Sequence, residues 1–383
     1  MADEQRPLRL TFIANPTHVL VMRWVSFFAG RGHETTILDG FGFPDARGLD
    51  ERVRVVRYDA RGRIHLPLAP TLHARLTLRR LLSAIDPDVV HAHSLKRYGW
   101  QAGIAGWRPY VISTWGSDVL LPPAGLQERF WNRYTMRRAA LVTAVTPVMR
   151  AAAIRAGARP ERVVQVHFGV DTRRFAPAGV EPEVLRDLGL DPRPIIFSPR
   201  AVKPIYNHAT ILRAFATLDA GHQLVMTGRN ADPEHLARIR SLLGELGIAD
   251  RVRIVDDIPD DAMLALYRAA TVVVSAPESD SFPISLLEAM ACGTPVVAGD
   301  LPAVRGGLQD VVPEWLVPTH DVAAMAAALR RAVELPDEER RRLGALLRER
   351  AVESDQETHM LRMEALYREL ARGRLSRRAG AAA

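Results

Sequence analysis

Cysteine is almost missing from this chain. Cys292 is the only one, so no intramolecular disulfide can form, and a reducing, cytoplasmic interior is the expected compartment. Long apolar runs are missing too. No window approaches the roughly 18 consecutive apolar residues that a membrane-spanning helix needs. Residues 1–10 (MADEQRPLRL) mix acids and bases around no apolar centre, so a secretion signal is not expected. Aromatic residues make up only 6% of the chain, and its arginines are scattered through helical stretches without an interleaved aromatic platform, which argues against a nucleic-acid partner. There is no close cluster of His, Asp and Glu with metal-ligand spacing, and no Ser/His/Asp or Cys nucleophile constellation. Cys292 itself stands among small apolar residues and reads as core.

What is present suffices for two domains. The 383 residues are too many for one comfortable core, and the 48% apolar content can fill two. The charge is uneven. Residues 1–180 hold 26 Lys and Arg against 14 Asp and Glu, a balance of +12, while residues 181–383 hold 25 against 30, a balance of −5. A basic front half is suited to an anionic surface or substrate. Arginine that merely fills solvated positions would give the same balance.

Short β-branched runs alternate with helical spacing from end to end. In the front half the expected strands are Leu8–Ala14, Thr35–Leu38, Val53–Arg57, Val89–His93, Tyr110–Thr114, Leu141–Val145 and Val163–Val166. Apolar positions three and four apart separate them, such as Val21, Val25, Phe28 and Ala29. That rhythm predicts βαβ units on a parallel sheet. Residues 171–194 carry four prolines and read as a connection between domains. A second series follows: Ile195–Ser198, Gln223–Thr227, Val252–Val255, Thr271–Ser275, Pro295–Ala298 and Trp315–Val317. The expected division is 1–180, 181–350 and a C-terminal helix with a frayed basic tail, 351–383, returning toward the first domain. Gly30-Arg31-Gly32 ends a helix and precedes a strand, so it reads as a helix C-cap rather than a dinucleotide fingerprint. Ligands of open α/β sheets bind past the carboxyl ends of the strands, so function is sought in the loops that follow strands.

The most specific such loop is residues 275–299, SAPESDSFPISLLEAMACGTPVVAG. A buried strand runs into a polar loop and then into a helix predicted to start near Ile284. The start of a helix presents unpaired N–H groups and the positive end of its dipole, a ready anion site. Asp280 precedes it and Glu288 follows eight residues later, and carboxylates accept hydrogen bonds from vicinal hydroxyls. Taken singly, Glu288 reads as an ordinary helix residue and Asp280 as a loop acid.

The stretch SLLEAMACGTPVVAGD, Ser285–Asp300, resembles the E-x7-E region of the retaining GT-B glycosyltransferases of family 4, whose usual form is close to EGFGLPLLEAMACGTPVVA. GRGHETTIL (30–38), DPDVVHAHS (86–94), STWGSDVL (113–120) and FGVDTRRFAP (168–177) are similar to further segments of that family, so the resemblance covers nearly the whole chain. It implies a GT-B fold: two Rossmann-like, doubly wound parallel-sheet domains facing a central cleft. Asp280 stands at the family's first Glu position and Pro283 at one that is usually Gly. Pro283 has no N–H, so phosphate contacts fall to Ser281, Phe282, Ile284 or Ser285.

The resemblance also implies roles. Arg200 and Lys203 would clamp the donor pyrophosphate and stabilise the leaving nucleoside diphosphate. Their spacing, Arg200-Ala-Val-Lys203, is shorter than usual, and Asn207 follows in the same loop. Glu288 would hold the ribose and Asp280 the sugar. Gly228 and Arg229 lie where the family has a glycine loop near the nucleotide, and Asp257 and Ile258 where it reads the base. In the first domain His93 matches a position facing the reacting sugar, while His18, Arg23 and Asp118 are acceptor candidates. The expected activity is a retaining transfer of the hexosyltransferase type, from a UDP- or GDP-linked sugar to a small-molecule, saccharide or lipid-linked hydroxyl acceptor. No metal and no cofactor are expected. The basic first domain is compatible with peripheral contact at the cytoplasmic membrane surface. Two alternatives share the architecture. A nucleotide-sugar 2-epimerase would isomerise its substrate without an acceptor, and a non-catalytic binding protein would hold the donor without turnover.

Overall fold

A computed structural model describes residues 6–60, 69–256, 258–308 and 310–382, with side chains of residues 69–72 and 374–382 left aside. It divides into two compact units. The first comprises Met1–Phe168 with Thr358–Ala383, and the second Gly169–Glu357.

In the first unit seven strands form one sheet: β1 (Arg9–Ile13), β2 (Glu34–Asp39), β3 (Arg54–Arg57), β4 (Val89–His93), β5 (Tyr110–Ser113), β6 (Leu141–Ala144) and β7 (Val163–Gln165). All pairings are parallel, in the order β3-β2-β1-β4-β5-β6-β7. Parallel strands need crossover connections, and the helical spacing between the apolar runs supplies them. The strand interiors, among them Phe12, Ile37, Val90, Ile112 and Val142, are fully buried because helices cover both faces. The helix Val19–Gly30 ends as its sequence suggests, with Arg31 at the C-cap and Gly32 at φ +85°, a left-handed position that favours glycine.

The second unit repeats the plan with six parallel strands: β8 (Ile195–Ala201), β9 (Gln223–Thr227), β10 (Val252–Val255), β11 (Ala270–Ser275), β12 (Val296–Gly299) and β13 (Leu316–Val317). Their order is β10-β9-β8-β11-β12-β13. The doubly wound, parallel-sheet architecture is therefore present twice.

Two segments differ from the sequence reading. The proline-rich stretch 171–194 belongs to the second unit instead of linking the two. Phe175 is buried against Tyr267 at 5.9 Å between ring centroids, and Arg268 Nε donates to the Ala176 carbonyl. The C-terminal helix Gln356–Ala382 runs on through the tail expected to fray, which is rich in the strong helix formers Arg and Ala. It packs on the first unit through buried Met363, Tyr367 and Ala371, and Tyr367 Oη accepts from Trp24 Nε1 at 3.2 Å and bonds His91 Nδ1. Among the described residues no helix is long and apolar enough to cross a membrane.

Candidate active site

Each sheet has one place where the chain reverses its direction of winding. In the first unit strands are added outward from β1 to β3, and then the chain returns to place β4 on the other side of β1. In the second unit the same reversal sets β8 beside β11. Crevices past the carboxyl ends of such strand pairs are where open α/β sheets bind ligands. The residues singled out from the sequence fall largely at these two places.

In the second unit, β8 ends in an irregularity. Ser198 pairs with Met226 and Ala201 with Thr227, so Pro199 and Arg200 are extra residues on the β8 side. A bulge of this kind re-aims a side chain. Arg200 Nη2 reaches Asp280 Oδ2 at 2.9 Å, and its guanidinium lies 4.2 Å from the Tyr206 ring centroid. Thr227 Oγ1 donates to the Pro199 carbonyl at 3.2 Å and the His208 ring bonds the Arg200 carbonyl at 3.2 Å, which pins the bulge. Asp280 Oδ1 accepts from the Ser281 N–H at 2.7 Å. Burial raises the Asp280 carboxyl above its ordinary value, with Arg200 pulling the other way.

The helix Ile284–Ala291 starts at Pro283 with no side-chain cap, so its first N–H groups are left for a ligand. Ser285 Oγ is buried there without a hydrogen-bond partner. Glu288, one turn on, is buried and accepts from Tyr267 Oη at 2.8 Å. Phe282 turns its ring away toward the helix Pro302–Leu308, where a Cβ on Gly307 would stand 2.7 Å from the ring Cζ. Only the backbone of Phe282 is then directed at the helix start.

Lys203 is half-buried and makes no ion pair among the described residues. Asn207 stands in the left-handed region at φ 48°, with its amide Nδ2 donating to the Thr319 carbonyl at 2.6 Å and its Oδ1 accepting from Thr210 Oγ1 at 3.1 Å. Its amide therefore ties down the loop. Gly228 follows β9, where a Cβ would crowd the Asp256 Cα at 3.1 Å, and Arg229 beside it is exposed. Ile258 is buried, which leaves only its backbone for a ligand, and Asp257 lies outside the described residues.

In the first unit, β4 ends at His93. Its ring is fully buried between Phe12, Trp24 and Trp115, at centroid distances of 5.8, 5.5 and 5.9 Å, and both ring nitrogens lack a partner. Burial lowers its pKa to about 3, so the ring is neutral at pH 7 and can offer one donor and one acceptor. After β1, Asn15 Oδ1 accepts from the Thr17 N–H and hydroxyl, both at 2.9 Å, and His18 Nδ1 caps the next helix by accepting from the Leu20 N–H at 3.2 Å. The His18 ring meets Trp115 edge-on at 4.5 Å. Arg23 is half-buried on that helix.

Asp118 has a different place from the one its sequence position suggests. Its Oδ2 accepts from the Leu95 N–H at 2.7 Å and Ser94 Oγ at 3.1 Å, and its Oδ1 from the N–H groups of Trp115 at 2.9 Å and Gly116 at 3.0 Å. The buried carboxylate is thus engaged in bracing the loops after β4 and β5. Burial raises it above its ordinary value against the pull of these donors. Ser94 has φ +95°, backbone strain that Asp118 helps to hold.

Three side chains at these sites were not singled out from the sequence. Tyr206 and Tyr267 carry no spacing signal. Trp115, whose Nε1 is buried without a partner, lies inside the quoted STWGSDVL segment and could have been found there. Among the described residues no group of three or more His, Cys, Asp and Glu is placed to hold a metal ion.

Two family models match the chain: "Glycosyl transferases group 1" over residues 181–350 and "Glycosyl transferase 4-like domain" over residues 17–169. Among curated relatives, the D-inositol 3-phosphate glycosyltransferase of Acidothermus cellulolyticus is 35% identical over 192 residues, 46% of this chain and 42% of that protein. The Mycolicibacterium gilvum protein of the same name is 36% identical over 178 residues, 45% and 39% of the two chains. The chain thus spans about two fifths of the length of the curated relatives it matches. In fold, it is similar to a glycosyltransferase from Rickettsia africae, with TM-score 0.79, 16% identity and 95% and 99% of the two chains covered. It is also similar to Anabaena HepE solved with UDP-glucose, with TM-score 0.77, 17% identity and 95% and 100% covered.

Proposed function

We propose, from the premise that the chain belongs to the glycosyl transferases group 1 family, that it moves a sugar from a nucleoside-diphosphate sugar to a hydroxyl acceptor with retention of configuration. The observation that carries this reading is the meeting of Arg200 and Asp280 at the reversal point of the second sheet, beside an uncapped helix start with a buried, unpartnered Ser285 hydroxyl. A diphosphate fits that chemistry: it would accept from Ser285 Oγ and from the N–H groups at Ile284 and Ser285, and from Arg200 once the guanidinium leaves Asp280.

Each group then has work suited to its surroundings. Arg200, steadied by the Tyr206 ring, and Lys203 would neutralise charge that grows on the leaving diphosphate, a contribution larger in the transition state than in the bound donor. Asp280, released from Arg200, would accept from the sugar hydroxyls. Glu288, oriented by Tyr267, would accept from the ribose. In the first unit the neutral His93 would meet a substrate hydroxyl with its unpartnered nitrogens. No protein base is assigned, because the leaving phosphate can itself take the acceptor proton. The acceptor is a small molecule, a saccharide or a lipid-linked hydroxyl. No metal or cofactor is invoked. UDP is the nucleotide to test first, since proteins of similar fold have been solved with it, and D-inositol 3-phosphate is a reasonable first acceptor given the relatives' names.

The test is thermal stabilisation by UDP, GDP, ADP and dTDP and by their sugars, followed by turnover with an acceptor panel. Ligand that binds only the folded chain raises its melting temperature by mass action. A shift with one nucleotide, lost in Arg200→Ala and Glu288→Ala, together with sugar transfer, supports the reading. Epimerised donor without acceptor would favour the isomerase alternative. Binding with no turnover on any acceptor would favour a non-catalytic role.

A further inference from the structure

Large apolar side chains are exposed at few places in the described residues, and three of them fall within ten residues of one another. Leu121 is 45% exposed, Leu126 84% and Phe130 60%. Leu121 opens the loop 121–125, every residue of which is exposed, and Leu126 and Phe130 lie one turn apart on the helix Leu126–Arg138. The opposite side of that helix is anchored in the first unit through buried Asn132, Thr135 and Met136. The exposed side is therefore held rigidly outward. Phe130 stacks on Tyr134 at 6.1 Å between centroids and meets Trp131 edge-on at 5.3 Å, so the apolar face continues into a cluster of aromatic rings.

Charge decides what such a face can meet. Arg129, Arg133 and Arg137 are exposed and recur at the spacing of the same helix face. The one acid of the helix, Glu128, is neutralised by Lys96 Nζ at 2.6 Å. We propose that the loop 121–125 and the exposed face of the helix Leu126–Arg138 form an interfacial docking surface for an anionic lipid bilayer. A rigid apolar edge with aromatic rings suits the boundary between head groups and acyl chains, and three arginines suit a negative surface potential. Two signals together give the affinity that neither gives alone. A second copy of the chain fits less well, because a two-fold contact through this face brings like arginines together. The loop follows β5 through the short helix Ser117–Leu120, past the carboxyl end of the first sheet, so a docked bilayer would lie toward the end of the unit that holds His93. The surface does not depend on the glycosyl-transfer reading, and its test needs no substrate.

The full chain is sedimented with vesicles of phosphatidylcholine alone and of phosphatidylcholine mixed with phosphatidylglycerol. Binding is expected on the mixed vesicles and not on the neutral ones, weakened by salt as exposed charges are screened. Leu126→Asp with Phe130→Asp should lower partitioning by about tenfold or more, with an unchanged melting temperature since both side chains are exposed. Arg129→Gln with Arg133→Gln should remove most of the preference for anionic vesicles. The proposal is overturned if the chain stays in the supernatant with mixed vesicles, or if the Leu126/Phe130 variant binds as well as the parent. It is equally overturned if sedimentation velocity shows a dimer that Phe130→Asp dissociates while vesicles are ignored.

Discussion

Asp280 holds Arg200 at 2.9 Å, so the cation best placed to meet a diphosphate already carries a carboxylate. A ligand phosphate must displace that carboxylate, and the freed acid is then left beside the ligand. On the proposed reading the pair would couple two events, capture of the phosphates by Arg200 and presentation of Asp280 to whatever the phosphates carry.

That coupling predicts opposite effects on product and substrate. In Asp280→Asn, Arg200 is free from the start and a like charge near the phosphates is gone, so UDP alone should bind about three- to tenfold tighter. Transfer should nonetheless fall by about a hundredfold if Asp280 is, as proposed, the charged partner of the sugar. Titration calorimetry with UDP and initial rates with the donor read the two effects separately. Tighter UDP binding with undiminished turnover would remove Asp280 from the sugar.

Asp118 should behave as a brace. It collects four donors from the loops after β4 and β5, so Asp118→Ala leaves those donors buried and unpaired. A loss of about 2–4 kcal/mol in folding stability is expected from urea titration. Asp118→Asn should lose less, since it keeps one acceptor oxygen. A variant of normal stability whose only defect is a raised KM for acceptor would restore Asp118 to the acceptor site.

Much of this arrangement is legible in the sequence, and the illegible part has a common cause. Strands such as Ala270–Ser275 and Val296–Gly299 stand out because parallel strands covered on both faces read as near-continuous apolar runs. The start of the helix at Ile284 is legible because Pro283 and the polar loop before it punctuate the chain. The bulge that turns Arg200 outward is not legible, since it is defined by its pairing with Met226 and Thr227 on another strand. Asp118 looks like any acid after a strand until its backbone donors are brought to it. Prolines in 171–194 suggest a linker, but Phe175 finds Tyr267 and joins the second core. In each case contacts distant in sequence override the local signal.

The pairing of Phe282 with Gly307 predicts a second-unit variant with a coupled defect. A methyl at Gly307 would stand 2.7 Å from the Phe282 Cζ, too close for a rigid ring to yield without moving the loop 280–283. Gly307→Ala should cost about 1–3 kcal/mol of stability and weaken nucleotide binding together. Adding Phe282→Leu should recover part of both. Urea titration and UDP calorimetry on the two single variants and the double give the coupling, and simple additivity would show that the contact does not position the helix start.

The buried histidines fix the direction of the acid response. Burial lowers His93 and His167 to about 3 and His208 to about 4, and holds His91 well below its ordinary value. In the unfolded chain the same rings titrate near 6.5, so below that pH the unfolded state binds more protons than the folded one. Stability is therefore fully present above about pH 6.5 and declines as the pH falls toward 4, by up to about 1.4 kcal/mol per pH unit for each ring. Asp118 and Asp280, whose carboxyls burial raises, oppose that decline only once the carboxylate range is reached. Melting temperatures between pH 8 and pH 4 should thus hold steady and then drop. His208→Gln should make the drop shallower, because the glutamine amide takes up no proton in either state. Activity should show no limb near pH 6.5 from His93, which stays neutral throughout. A limb there that vanishes in His93→Gln would mean that its ring is charged in the working enzyme, and the neutral donor and acceptor role assigned to it would fall.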